Sequence, residues 1–72
     1  MFDDFEPISS GHLDGAKYDS FEQKLHIRFQ NGSVYTVHGV SPEDYRVFMD
    51  APSQGAHFHA NFKANYHVEK TK

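Results

Sequence analysis

Cysteine and tryptophan are both missing from this chain of 72 residues, and proline occurs only 3 times. Without cysteine no disulfide can staple the fold, and no thiolate can act as nucleophile or metal ligand. That absence fits a reducing compartment, and the cytoplasm is the expected location. No apolar run approaches the roughly 20 residues of a membrane span, so no membrane helix is expected. The acidic opening Met1-Phe2-Asp3-Asp4 lacks the positive charge of a secretory signal, and none is expected. Basic residues are scarce too: 7 Lys and Arg stand against 10 Asp and Glu, a formal net charge of −3 with neutral histidines. A free-standing nucleic-acid binder is usually basic overall, so the balance counts against one.

What the chain has is rings: 7 Phe, 4 Tyr and 6 His. A single domain of this size buries only some 60% of its unfolded surface. The phenylalanines and tyrosines therefore have to supply its core, and self-association would help. Histidine titrates near ~6.5 when unperturbed. Protonating all 6 would reverse the sign of the net charge.

Residues 1–7 carry three acids and a proline and read as a flexible acidic arm, with Phe2 and Phe5 able to tuck onto the body. Residues 69–72 read as a frayed charged tail. Between them, 13–19 is a short strand with Ala16 and Tyr18 on one face. Residues 23–29 form the clearest strand: Leu25, Ile27 and Phe29 alternate with Lys24, His26 and Arg28. Asn31-Gly32 is a strong hairpin signal, and 33–38 is the return strand. Ser41-Pro42-Glu43-Asp44 combines an N-cap serine, a proline at the first helical position and first-turn acids. Tyr45, Phe48 and Met49 then share a helical face, as core, and Pro52 ends the helix. Ser53 caps a second helix running to about Asn65, with Phe58 and Phe62 on one face and Tyr66 extending the line. The expected fold is α+β: a three-stranded antiparallel meander followed by two helices packed on one face, β-β-β-α-α.

The hairpin has two possible registers. A two-residue Asn31-Gly32 loop pairs Phe29 with Val34 and sets Tyr35 beside Arg28 on the polar face. A three-residue loop with Gly32 left-handed pairs Ile27 with Tyr35 and Leu25 with Val37. The second gathers the apolar residues on one face, with only Val34 misplaced, and patterning favours it.

The combination Ser9-Ser10, Tyr18-Asp19, Leu25-x-Ile27-x-Phe29, Asn31-Gly32, Tyr35, Gly39-Val40 and Ala51-Pro52-Ser53-x-Gly55-x-x-Phe58 resembles the KTSC domain. That small module is named for the C-terminus of some lysyl-tRNA synthetases and also stands alone in bacterial and phage proteins. The resemblance covers residues 8–68. It departs at Tyr35-Thr36-Val37, where the family has Tyr-x-Tyr, and at His59 and Phe62-Lys63, where asparagine and Ile-Arg are frequent. The family's place beside a synthetase implies RNA as a partner.

The first candidate surface is the open sheet face of Lys24, His26, Arg28, Thr36 and His38, joined by Lys17 from the first strand, with Lys63 from the second helix as a further phosphate contact. Lysine and arginine neutralise phosphates, and histidine can donate to them or stack on bases. Sheet-type RNA readers also need a stacking ring, so the direction of Tyr35 matters. The plain alternative is a solvated polar face. His57-x-His59 on a helix points its rings about 200° apart, which is poor for one metal, and His26 and His38 lie diagonally across the hairpin. Two histidines fall short of the three or four ligands zinc takes, so no metal or cofactor is expected. Ser9, Ser10, His12, Asp14 and Asp19 include the residue types of a hydrolytic triad. No nucleophile elbow or phosphate loop accompanies them, and they read as turn and packing residues. Little room is expected for an enclosed pocket or a small-molecule substrate. The expectation is a non-enzymatic binding module, with RNA as the first expected ligand. The alternative is a protein-interaction or self-associating module, of phage or mobile-element type, that uses a sheet edge or aromatic surface.

Overall fold

A computed structural model of the chain describes residues 5–71, with Ser9 and Ser10 described by their backbone alone. Five strands form one antiparallel sheet in sequential order: β1 (Glu6–Ser10), β2 (Leu13–Asp19), β3 (Lys24–Phe29), β4 (Val34–His38) and β5 (Val68–Lys70). Helix α1 (Pro42–Asp50) follows β4. A second helical arm then runs as α2 (Gln54–His57), a π-helical turn (Phe58–Phe62) and α3 (Lys63–Asn65) before the chain returns as β5.

The α+β class and the two helical segments agree with the sequence, but the sheet has five strands where three are expected. Both additions are edge strands. Glu6 and Pro7, assigned by sequence to the arm, pair with Ala16 and Gly15. Glu69, assigned to the tail, pairs with Thr36, and Lys70 pairs with Tyr35. Edge strands tolerate proline and charge, so they carry little of the apolar alternation that reveals inner strands. The first four arm residues, Phe2 among them, lie outside the described residues.

The three inner strands sit where alternation puts them. Ile27 pairs with Tyr35 and Leu25 with Val37, the register favoured by burial of one face. Phe29 N donates to Ser33 O at 2.8 Å and Gly32 N to Phe29 O at 2.9 Å, closing the three-residue loop. Gly32 has φ 91°, a conformation that side chains with a Cβ resist. The helix-side core gathers Leu13, Ala16, Leu25, Ile27, Val37 and Val40 from the sheet side against Phe48, Phe58 and Phe62 from the helices. The opposite face is not the open polar surface that the three-strand plan implies. Val34 and Thr36 there are each only 2% exposed. Thr36 Oγ1 lies 2.8 Å from His26 Nδ1 and 3.3 Å from Thr71 Oγ1.

Helix α1 starts as its sequence dictates: Ser41 Oγ accepts from Asp44 N at 3.1 Å, and Pro42 occupies the first turn. Ser41→Ala removes that acceptor and should lower stability by about 0.5–2 kcal/mol. In a domain of this size the melting temperature should fall by about 4–8 °C per kcal/mol, measurable by circular dichroism.

Candidate functional site

An open groove of about 920 Å3 lies between the tip of the β3–β4 hairpin and the second helical arm. The hairpin brings Phe29 and Tyr35 to the helix side, where their rings meet edge to face at 5.2 Å. Phe29 makes the same kind of contact with Phe58 at 5.8 Å, and Phe58 with His59 at 5.3 Å. Phe58, 2% exposed, forms the floor, while Phe29, Tyr35 and Tyr66 remain partly accessible. The π-helical turn supplies Phe58 and His59 and leads into Lys63, which also lines the groove. Such turns are frequent at functional sites because they re-aim side chains within a helix. Gln30, Asn31 and Ser33 line the hairpin end, and Gln30 N donates to His12 O at 2.7 Å, drawing the β1–β2 turn alongside.

The charge pattern of this groove is one-sided. Its lining holds Lys63, His12 and His59, and reaches His67, whose ring turns away to His38 at 5.1 Å; no Asp or Glu is among the described lining residues. The chain around it is net negative. Among the described residues Lys63 has no carboxylate partner.

The structure divides the sequence-derived site residues into two groups. Tyr35 and Lys63 meet in the groove. Lys17, Lys24, His26, Arg28 and His38 lie on the other face, with Lys17 opposite His26 and Lys24 opposite His38. There the basic groups are engaged within the chain. Arg28 Nε donates to Asp14 Oδ1 at 2.6 Å, and its guanidinium lies 4.8 Å from the Phe5 ring centroid. Lys24 Nζ pairs with Glu22 at 3.0 Å, and His38 Nε2 donates to Glu69 Oε1 at 2.9 Å. Burial holds the His26 imidazole below its ordinary range, favouring the uncharged ring. A phosphate on this face would have to compete with three carboxylates already in place. Of the residues with hydrolytic side-chain types, Asp14 binds Arg28, and Asp19 Oδ1 accepts from Phe21 N and Glu22 N in a turn; the side chains of Ser9 and Ser10 lie outside the described residues.

The groove itself, with Phe58 on its floor and His59 and Tyr66 on its wall, is not among the surfaces picked from the sequence. The signal that was available is ring spacing: Phe58, Phe62 and Tyr66 form one helical line, of which Phe62 stays in the core while Phe58 and Tyr66 also line the groove. The sequence leaves little room for an enclosed pocket. The open groove lies instead between the β3–β4 hairpin and the second helical arm.

Tyr66 also anchors the arm to α1, its hydroxyl donating to Asp44 Oδ2 at 2.7 Å. That bond, with Ser41 assisting, holds the Asp44 carboxyl below its ordinary 3.8. A depressed carboxyl stabilises the fold above its unfolded pKa, and the contribution is lost as pH falls through the folded value. Tyr66→Phe should therefore melt at lower temperature than the parent at pH 7, and the difference should shrink towards pH 2.5. Parallel thermal melts at the two pH values measure it.

The family model for the KTSC domain matches residues 9–66. The chain belongs to the KTSC domain family. An uncharacterised protein of Stutzerimonas stutzeri is 32% identical over 60 residues, covering 83% of this chain and 84% of the relative. A protein of Tsukamurella paurometabola is 36% identical over 50 residues, covering 69% and 75%. The crystal structure of a KTSC domain protein from Yersinia pestis superposes with a TM-score of 0.84 at 29% identity, covering 94% of this chain and 96% of that one. The overall fold is thus shared with a KTSC structure solved by experiment. No helix among the described residues is long and apolar enough to cross a membrane.

Proposed function

We propose that this KTSC domain is a non-enzymatic module that holds single-stranded RNA in the groove between the β3–β4 hairpin and the second helical arm. One observation carries this reading: the groove is walled by aromatic rings and its charge-bearing lining is entirely basic, within an acidic chain. Unpaired bases stack on tyrosine and phenylalanine at about 1–3 kcal/mol per base, whatever their identity. Lys63, with His59 and His12 when protonated, would lie along the phosphates. Gln30, Asn31 and Ser33 offer donors and acceptors to base edges. The far sheet face contributes little, because Arg28, Lys24 and His38 there already face carboxylates.

So few cations imply a shallow salt dependence. Single-strand binding loses about 0.7 in log affinity per phosphate contact for each decade of salt. Two contacts would give a loss of about sevenfold between 50 and 200 mM. Fluorescence anisotropy of labelled single-stranded RNA, at both salts and at pH 6 and 7.5, tests this. Binding that weakens modestly with salt, strengthens at pH 6 and is lost in a Tyr35→Ala, Lys63→Ala double variant supports the groove. Binding that survives both substitutions but is lost in Lys24→Ala, Arg28→Ala would move the site to the far face. No binding at 50 mM and pH 6 would overturn the RNA reading. A protein partner would then be the better account, since Phe21 in the β2–β3 turn is 93% exposed.

A further inference from the structure

On the sheet face away from the helices, three potential ligands meet at the β4–β5 edge. His67 immediately precedes β5 and Glu69 lies within it, so the i, i+2 spacing of extended chain turns both side chains to one face. Across the ladder His38 N donates to His67 O at 3.0 Å, which sets the two histidines opposite each other. Their ring centroids are 5.1 Å apart. His38 Nε2 and Glu69 Oε1 are 2.9 Å apart, and one ligand atom from each of the three residues lies within 4.8 Å of the others. Tetrahedral zinc with bonds of about 2.0–2.1 Å holds its ligand atoms about 3.3 Å apart. Small side-chain rotations therefore suffice to close the set.

We propose that His38, His67 and Glu69 form a binding site for a transition-metal dication, with zinc the best match. Two imidazoles select zinc, nickel or copper over magnesium and calcium, which prefer oxygen ligands. One carboxylate offsets half of the ion's charge. Three protein ligands leave a coordination position for water, the arrangement of an open site rather than a sealed structural one. His67 and Glu69 are exposed on an edge strand, so an ion has a direct approach. Metal at His38 Nε2 displaces the proton now shared with Glu69, leaving Nδ1 as the protonated nitrogen. Lys24, opposite His38 on β3, faces the site from the neighbouring strand, and Glu22 pairs with it at 3.0 Å. The two sequence patterns that draw attention to histidine, His57-x-His59 and the His26–His38 diagonal, are not this site. It becomes visible only once β5 is placed against β4.

Isothermal titration of tag-free protein with zinc chloride tests the site, with magnesium chloride as the comparison. The expected result is one zinc per chain and no magnesium heat. His38→Ala, His67→Ala and Glu69→Gln should each weaken zinc binding by more than about tenfold, since even loss of an outer-shell partner costs 10–100-fold. His59→Ala and His12→Ala, outside the cluster, should leave it unchanged. Imidazole ¹⁵N shifts confined to two histidines on adding zinc would identify the ligands without any substitution. Absence of zinc binding overturns the proposal. So does zinc binding that survives loss of the cluster, or that is lost with His59.

Discussion

Replacing Phe48 with alanine should leave the chain barely folded. Phe48 is fully buried at the centre of the helix-side core, with Phe62 at 5.4 Å and His57 at 5.9 Å between ring centroids. Truncating a buried phenylalanine costs about 3–5 kcal/mol, the transfer loss plus the cavity left behind. At about 0.05–0.15 kcal/mol per residue, a domain of this length holds only about 4–11 kcal/mol in total. Urea titration followed by circular dichroism should show the midpoint collapse towards zero denaturant. In a thermal melt the midpoint should fall by roughly 12–40 °C. Val47, on the same helix but 49% exposed, supplies the contrast. Val47→Ala should stay within about 0.5 kcal/mol of the parent. A Phe48→Ala variant as stable as Val47→Ala would mean that the helices do not share the core described here.

The second large effect concerns the groove. Tyr35→Ala should weaken single-stranded RNA binding by about 5–150-fold, the loss of one stacked base at about 1–3 kcal/mol. Tyr35 is partly exposed and sits beside Phe29 at 5.2 Å, so its removal opens the groove wall without emptying the main core. Tyr35→Phe keeps the ring and should retain most of the affinity. That pair of variants separates stacking from any role of the hydroxyl. Lys24→Ala, on the far face and already paired with Glu22, should change affinity little.

The hairpin shows how much of this fold was legible in the sequence. Asn31-Gly32 announces a turn, but its register follows from which pairing buries Leu25, Ile27, Phe29, Tyr35 and Val37 together. The pairing found is that one. The start of α1 was equally plain, because Ser41, Pro42, Glu43 and Asp44 each satisfy a different requirement of a helix N-terminus. The outer strands were hidden for a physical reason. Pro7 in β1 and Glu69-Lys70 in β5 are the residue types that protect a sheet edge from pairing with another chain, so they read as arm and tail. The buried side chains of Val34 and Thr36 follow from the same omission: a three-stranded plan leaves their face bare.

The site was legible only in part. Lys63 and Tyr35 were singled out from sequence, but on different grounds and for a different surface. Their meeting depends on how the hairpin and the second helical arm are placed in the fold, which no local pattern encodes. The basic residues of the far face looked available because alternation reports side, not partner. Asp14, Glu22 and Glu69 reach Arg28, Lys24 and His38 only after β2, the β2–β3 turn and β5 are in place.

The most direct test of the groove is a chemical-shift map. ¹⁵N-labelled protein would be titrated with a short single-stranded RNA at 50 mM salt and pH 6, and backbone amide shifts followed. The account predicts that the shifts concentrate at residues 29–35, 58–63 and 66–68, with Lys24 and His26 nearly still. Shifts concentrated on Lys17, Lys24, His26 and Arg28, or no shifts at all, would contradict it.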